Sequence, residues 1–137
     1  MSLDEASAAS GWSLTFDPDS SIAGTPGLGC GYAAGTPDGI WLKLNDTTIV
    51  SMSVEGSVTT PEGIGVGSTA DEVRTAYPDV RREPHEYESG FPGRHFLVFD
   101  DPADAGFQMY FDMKDGETVA GLESGQADFL PTLEGCA

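Results

Sequence analysis

Lysine is nearly missing from this chain. Lys43 and Lys114 are the only two in 137 residues, and 6 basic side chains face 23 acidic ones, a formal charge of −17. So negative a surface repels nucleic acid and anionic membrane, so polyanions are poor partners and a neutral or basic one is expected. The acids are scattered rather than run together, and 39% of the residues are hydrophobic. That composition describes a solvated acidic surface on a folded domain. Salt adaptation would also explain the shortage of lysine, although no other feature points to it.

Long apolar runs are absent too: nothing approaches the ~18 residues of a membrane span, so this segment is not expected to insert directly into a bilayer. Cysteine is limited to Cys30, in a Gly-rich stretch, and Cys136. Neither belongs to a C-x-x-C pair and neither has a histidine nearby in sequence, which argues against a zinc or thioredoxin-like site. One disulfide between them is the economical reading and implies an oxidising compartment. Two unrelated buried thiols are the alternative. A chain of this length suits one domain and buries a core without a metal or a dense disulfide framework.

What is present is mostly strand pattern. Residues 1–11, "MSL" and "DEASAAS" before Gly11, read as a cloning remnant on a flexible small-residue tether, as left when a leader is trimmed from an exported protein. The single domain then spans 12–137. "WSLTF" (12–16), "IWLKL" (40–44), "IVSMSV" (49–54) and "FQMYF" (107–111) alternate apolar and polar residues, and "FLVF" (96–99) reads as a buried strand. Asp115-Gly116 is a favourable hairpin turn between residue 111 and "TVAGL" (118–122). Residues 17–39 and 79–95 read as long loops. The hairpins at 39–56 and 106–125 share an opening Gly, a polar turn and a closing Gly. They suggest two half-repeats, 12–60 and 61–137, with the first half's helix degenerate or replaced by the Gly-rich loop. Two unrelated hairpins would show the same pattern.

The stretch "GIGVGSTADEVRTAYPD" (63–79) is the most patterned in the chain. It fails as a P-loop, because no Lys precedes Ser68-Thr69, and as G-x-G-x-x-G, because Gly63, Gly65 and Gly67 alternate. Ser68 and Thr69 are good N-caps, and Asp71 and Glu72 follow each by three residues, so either register makes a capping box. The stretch therefore reads as the entrance to a short helix that packs Ala70, Val73 and Tyr77 on the sheet and ends at Pro78.

Gly-x-x-x-Gly-Ser-Thr-x-x-Glu-Val, a short helix ending at Tyr77-Pro78 and a meander closing near residue 125 together resemble a repeat of exported bacterial proteins and lipoproteins of unknown function. More distantly, they are similar to the helix-plus-meander unit of SmpA/OmlA-type envelope lipoproteins and of the β-lactamase inhibitory protein. The resemblance implies a sheet platform that binds a partner, with no catalytic residues to carry over; no cofactor is expected.

Catalytic chemistry finds little support. His85 lies in "HEYE" with Glu86 and Glu88, a spacing that is no recognised ligand motif, and His95 abuts "FLVF". No serine sits in G-x-S-x-G. Asp100, Asp101 and Asp104 put three carboxylates in five residues, candidates for calcium, though a polar turn is the plainer reading. Trp12, Trp41, Tyr87, Phe91 and Tyr110 are more telling. Trp41 and Tyr110 fall on the strand faces opposite the aliphatic rows and are the candidate partner contacts; packing against a helix or loop is the competing reading.

The expectation is thus an α+β fold: an antiparallel sheet of five to seven strands with one short helix on a face. Its expected role is non-catalytic, a binding or structural module outside the cytoplasm. It would be secreted, or membrane-anchored by a lipid outside this segment, and serve an unknown protein or envelope component. A calcium-dependent envelope module and a small hydrolase are the alternatives.

Overall fold

Alternating sequence becomes sheet, and the computed structural model, which describes residues 1–20, 29–85 and 90–131, contains one antiparallel sheet of eight strands with two short helices. In chain order the elements are α1 (Leu3–Ser10), β1 (Thr15–Asp17), β2 (Cys30–Ala34), β3 (Ile40–Asn45), β4 (Thr48–Val54), α2 (Ala70–Ala76), β5 (Arg81–Pro84), β6 (His95–Asp100), β7 (Phe107–Met113) and β8 (Gly121–Gln126). Across the sheet the order is β1-β2-β3-β4-β8-β7-β6-β5. Two four-stranded meanders, each introduced by a helix, therefore meet along β4 and β8.

Register decides which residues face the core, because side chains directly opposite one another on antiparallel strands share a face. Ile40 pairs with Val54, Val54 with Leu122, Leu122 with Phe111 and Phe111 with Leu97. That transverse row is buried under α2 through Val73 and Tyr77. Leu42 and Leu44, on the same face of β3, belong to a second cluster with Ala6 of α1, Leu14 and Ala33. Trp12 and Met52 pack against both clusters and join them. Both helices thus cover one face of the sheet.

The helix entrances share one device. Thr69 caps α2, accepting from the Glu72 amide while the Glu72 carboxylate accepts from the Thr69 amide, so of the two registers the sequence allows, the second is used. Its glycines serve the approach. Gly63 and Gly67 take φ of 87° and 92°, left-handed values that favour glycine. The Gly67 amide donates to Val119, Val119 returns a bond to Ser68, and Ala70 donates to Glu117, tying the helix start to the connection between β7 and β8. The buried Tyr77 hydroxyl donates to Glu62 at 2.6 Å. Burial, then that carboxylate, push its pKa to about 12.

Several expectations need correction. Residues 1–11 are no tether over this span: Ser2 and Glu5 form a second capping box, Gly11 closes α1 in the left-handed conformation, and Ala6 is buried. The first half therefore has a helix, and the sheet carries two helices rather than one. The strands among the described residues number eight, above the expected five to seven. The additions are β2, inside the stretch read as a loop from 17 to 39, and β5, inside the loop from 79 to 95. Neither has an apolar alternation of its own; backbone pairing with β1 and β3, and with β6, makes them strands. The first strand is shifted to Thr15–Asp17 and the last begins at Gly121 rather than 118. No helix among the described residues is long and apolar enough to cross a membrane.

Candidate functional site

The opposite face, helix-free among the described residues, carries a different transverse row: Trp41 opposite Ser53, Ser53 opposite Glu123, Glu123 opposite Tyr110. Trp41 is 43% exposed and Tyr110 is half-buried. Two aromatic rings thus bracket a serine and a carboxylate across the seam between the meanders. Burial raises the Tyr110 pKa, with Arg81 opposing and Glu83, Asp100 and Glu123 adding to the rise. The phenol stays neutral and available as a hydrogen-bond donor.

On the β6–β8 side of this row lies a cavity of about 250 Å³ lined by Ser53, Glu55, His85, Arg94, Phe96, Tyr110, Asp112 and Glu123, among others. The strands position its walls. Phe96 is opposite Asp112 on β6 and β7, the Tyr110 ring meets Phe96 edge-on at 5.2 Å, and the His85 ring stacks on Phe96 at 4.6 Å. Arg94 reaches from just before β6 to bond Asp112 at 3.0 Å, with side-chain exposures of 17% and 26%, and its guanidinium lies 5.7 Å over the Phe91 ring. The pair uses one nitrogen and one oxygen; Arg94 Nε and Asp112 Oδ1 are buried with no hydrogen-bond partner among the described residues.

A second cavity, of about 570 Å³, flanks Trp41 and is lined by Asp17, Ser20, Tyr32, Ala33, Thr36, Trp41, Ser53 and Glu55. Tyr32 there has a raised pKa, from burial first and then from nearby Glu123. Ser53 and Glu55 border both cavities. The lining of the first counts three acids against one arginine, and that of the second has two acids and no basic group. Of the other basic residues on this face, Arg81 is paired with Glu83 and Asp100, and Lys43 lies between Tyr32 and Ser51 in the next row.

The structure scatters the other sequence candidates. Asp100 accepts from Arg81 and Gln108, whereas Asp101 accepts from the Ala103 amide, its own turn. Asp104 joins that turn through its backbone. Among the described residues no three His, Cys, Asp or Glu side chains are grouped to hold a metal. Ser68 and Thr69 belong to the α2 entrance, where Ser68 Oγ accepts from Gly65. His95 is buried on the core face, its Nδ1 2.8 Å from the Gly93 carbonyl. Cys30 opens β2 opposite Asn45; its expected partner Cys136 lies outside the described residues, as do Glu86, Tyr87 and Glu88. Sequence reading missed Arg94, Asp112, Glu55 and Glu123. Only their shared strand parity with Tyr110 would have pointed to them, and the meander order is needed to use it.

No known protein family, no curated protein and no solved structure matches this chain.

Proposed function

We propose that this chain is a non-catalytic binding or structural module of an extracytoplasmic compartment, the ectodomain of a lipoprotein or a secreted protein, which presents the helix-free face of its sheet to a neutral or basic partner. The observation that carries the proposal is the row from Trp41 to Tyr110, an exposed indole and a half-buried phenol on one face with Ser53 and the Glu123 carboxylate between them. Aromatics are frequent anchors of binding surfaces, and the charge of −17 favours a cationic partner. A disulfide between Cys30 and Cys136 belongs to the same proposal, because it requires an oxidising compartment.

The experiment is an amide-shift map. Isotope-labelled protein is titrated with heptalysine at low salt. Shifts confined to β3, β4, β8 and β7, and fading as salt rises, support the reading. Shifts centred on α1 and α2, or none at all, defeat it.

A small hydrolase is the second reading, favoured by one observation: the cavity that holds His85 also holds Asp112 and Ser53. If His85→Ala leaves any turnover of a p-nitrophenyl ester and phosphate panel unchanged, that reading falls.

A further inference from the structure

The two cavities on the helix-free face border the same two residues of β4, Ser53 and Glu55, and open on opposite sides of that strand. Each combines carboxylates with aromatic rings: Glu55, Asp112 and Glu123 with Phe96 and Tyr110 on one side, Asp17 and Glu55 with Tyr32 and Trp41 on the other. Acids draw a cation in, and ring faces hold its alkyl stem and its charge once it is partly desolvated. The protein already shows this pairing internally, where Arg94 lies over Phe91 while bonded to Asp112.

Spacing makes the two cavities a pair. Trp41 and Tyr110 stand on β3 and β7, with β4 and β8 between them. Three interstrand steps of ~4.8 Å separate them by about 14 Å. An extended peptide advances about 3.3 Å per residue, so side chains four residues apart are about 13 Å apart and project from the same side.

We propose that the two cavities are paired subsites for two basic side chains, lysine or arginine, of a single extended segment of a partner protein, placed at positions i and i+4. This rests on the reading that the helix-free face is the binding face, and it adds the occupant and its spacing. The segment crosses the strands along the row from Trp41 to Tyr110. One basic side chain lodges beside Trp41 and Asp17, the other beside Tyr110 and Asp112, and Glu55 lies between them. Joining two weak contacts on one chain makes the second intramolecular, so the spacing carries the affinity.

The test measures binding of labelled Gly-Ser peptides with two arginines at i,i+1, at i,i+4 or at i,i+8, using the intact protein. The i,i+4 peptide is expected to bind about tenfold more tightly than the i,i+1 peptide. Glu55→Gln and Trp41→Ala, both at exposed positions, should each erase that advantage. Equal affinity for all three spacings, still lost in Trp41→Ala, would overturn the paired subsites and leave the face reading standing. Binding unchanged by both substitutions, or no binding of any peptide, would overturn both. An alanine-for-arginine peptide that binds as well would overturn the basic occupant, and a mass that doubles with concentration would give the face to a second copy of this chain instead.

Discussion

Ala6 in α1 and Val73 in α2 stand at the same place in their helices, four residues beyond the capping hydroxyls of Ser2 and Thr69, and both are buried against the sheet. By the same count Ser10 matches Tyr77. The second helix thus fills its site with a valine and a phenol ring that meets Phe99 and Phe111 at 4.9 and 5.4 Å. The first offers small residues and leaves an almost wholly apolar cavity of about 250 Å³, lined by Ala6, Ala9, Trp12, Leu14, Leu42 and Ile49 among others. Ala9→Leu is therefore expected to stabilise the protein by about 1 kcal/mol through cavity filling. Urea unfolding checks it; a destabilised variant would show that the cavity cannot take the added carbons.

At Val73 the opposite change should be severe. The side chain is fully buried, so Val73→Asp places a carboxylate with no partner in the α2 core and should cost about 3 kcal/mol or more. Thr69→Ala, which removes only the cap, should cost about 1 kcal/mol. Equal, small losses in denaturant melts would mean that α2 is held by its entrance and not by its apolar face.

Asp115 sets an acid limit. Its carboxylate accepts from the amides of Thr118 and Glu117 and from the Thr118 hydroxyl, which together hold its pKa at about 2, below the ordinary 3.8. Because the folded value is the lower one, the stability it contributes is present above pH ~4 and is lost as pH falls toward about 2. A carbon-detected titration of the Asp115 carboxyl should show the depressed midpoint. Asp115→Asn should flatten the stability profile across that window and leave neighbouring carboxylates alone; an unchanged profile would assign the acid limit elsewhere.

Cys30 and Cys136 should be joined. Closing a loop this long contributes about 4–5 kcal/mol in the chain-entropy account, less any strain. Thiol titration of the denatured, unreduced protein should find no reactive thiol, and reduction should lower the melting temperature. Two titratable thiols would remove the oxidising compartment from the functional proposal.

The sequence made β3, β4, β6 and β7 legible because each must bury one face or both, and burial writes itself as alternation or as an apolar run. It hid β2 because that strand, apart from Tyr32, is built of small residues, and a Cβ at Gly31 would lie 2.7 Å from the Phe16 ring. It hid β5 because Arg81–Pro84 lies at the sheet edge and is held by β6 alone. The first helix is hard to see in sequence because Ala and Ser leave no apolar stripe, although Ser2 and Glu5 carry the same capping signal as Thr69 and Glu72. Of the candidate site, only Trp41 and Tyr110 stood out, by their parity against aliphatic neighbours. Glu55, Arg94, Asp112 and Glu123 come together through the junction of β4 with β8, which no local pattern encodes.

That junction also sets the order of assembly. Every other strand pairing lies within one meander, whereas β4 and β8 pair residues about seventy positions apart, a closure paid in chain entropy before it is rewarded. The halves should therefore form first and dock last, leaving the junction loose in the folding transition state. Gly125 lies in it, and a Cβ there would strike the Val50 carbonyl and come within 2.7 Å of Ser51 Cα. Gly125→Ala should accordingly speed unfolding and leave the folding rate nearly unchanged, a pattern readable from the two arms of a denaturant chevron.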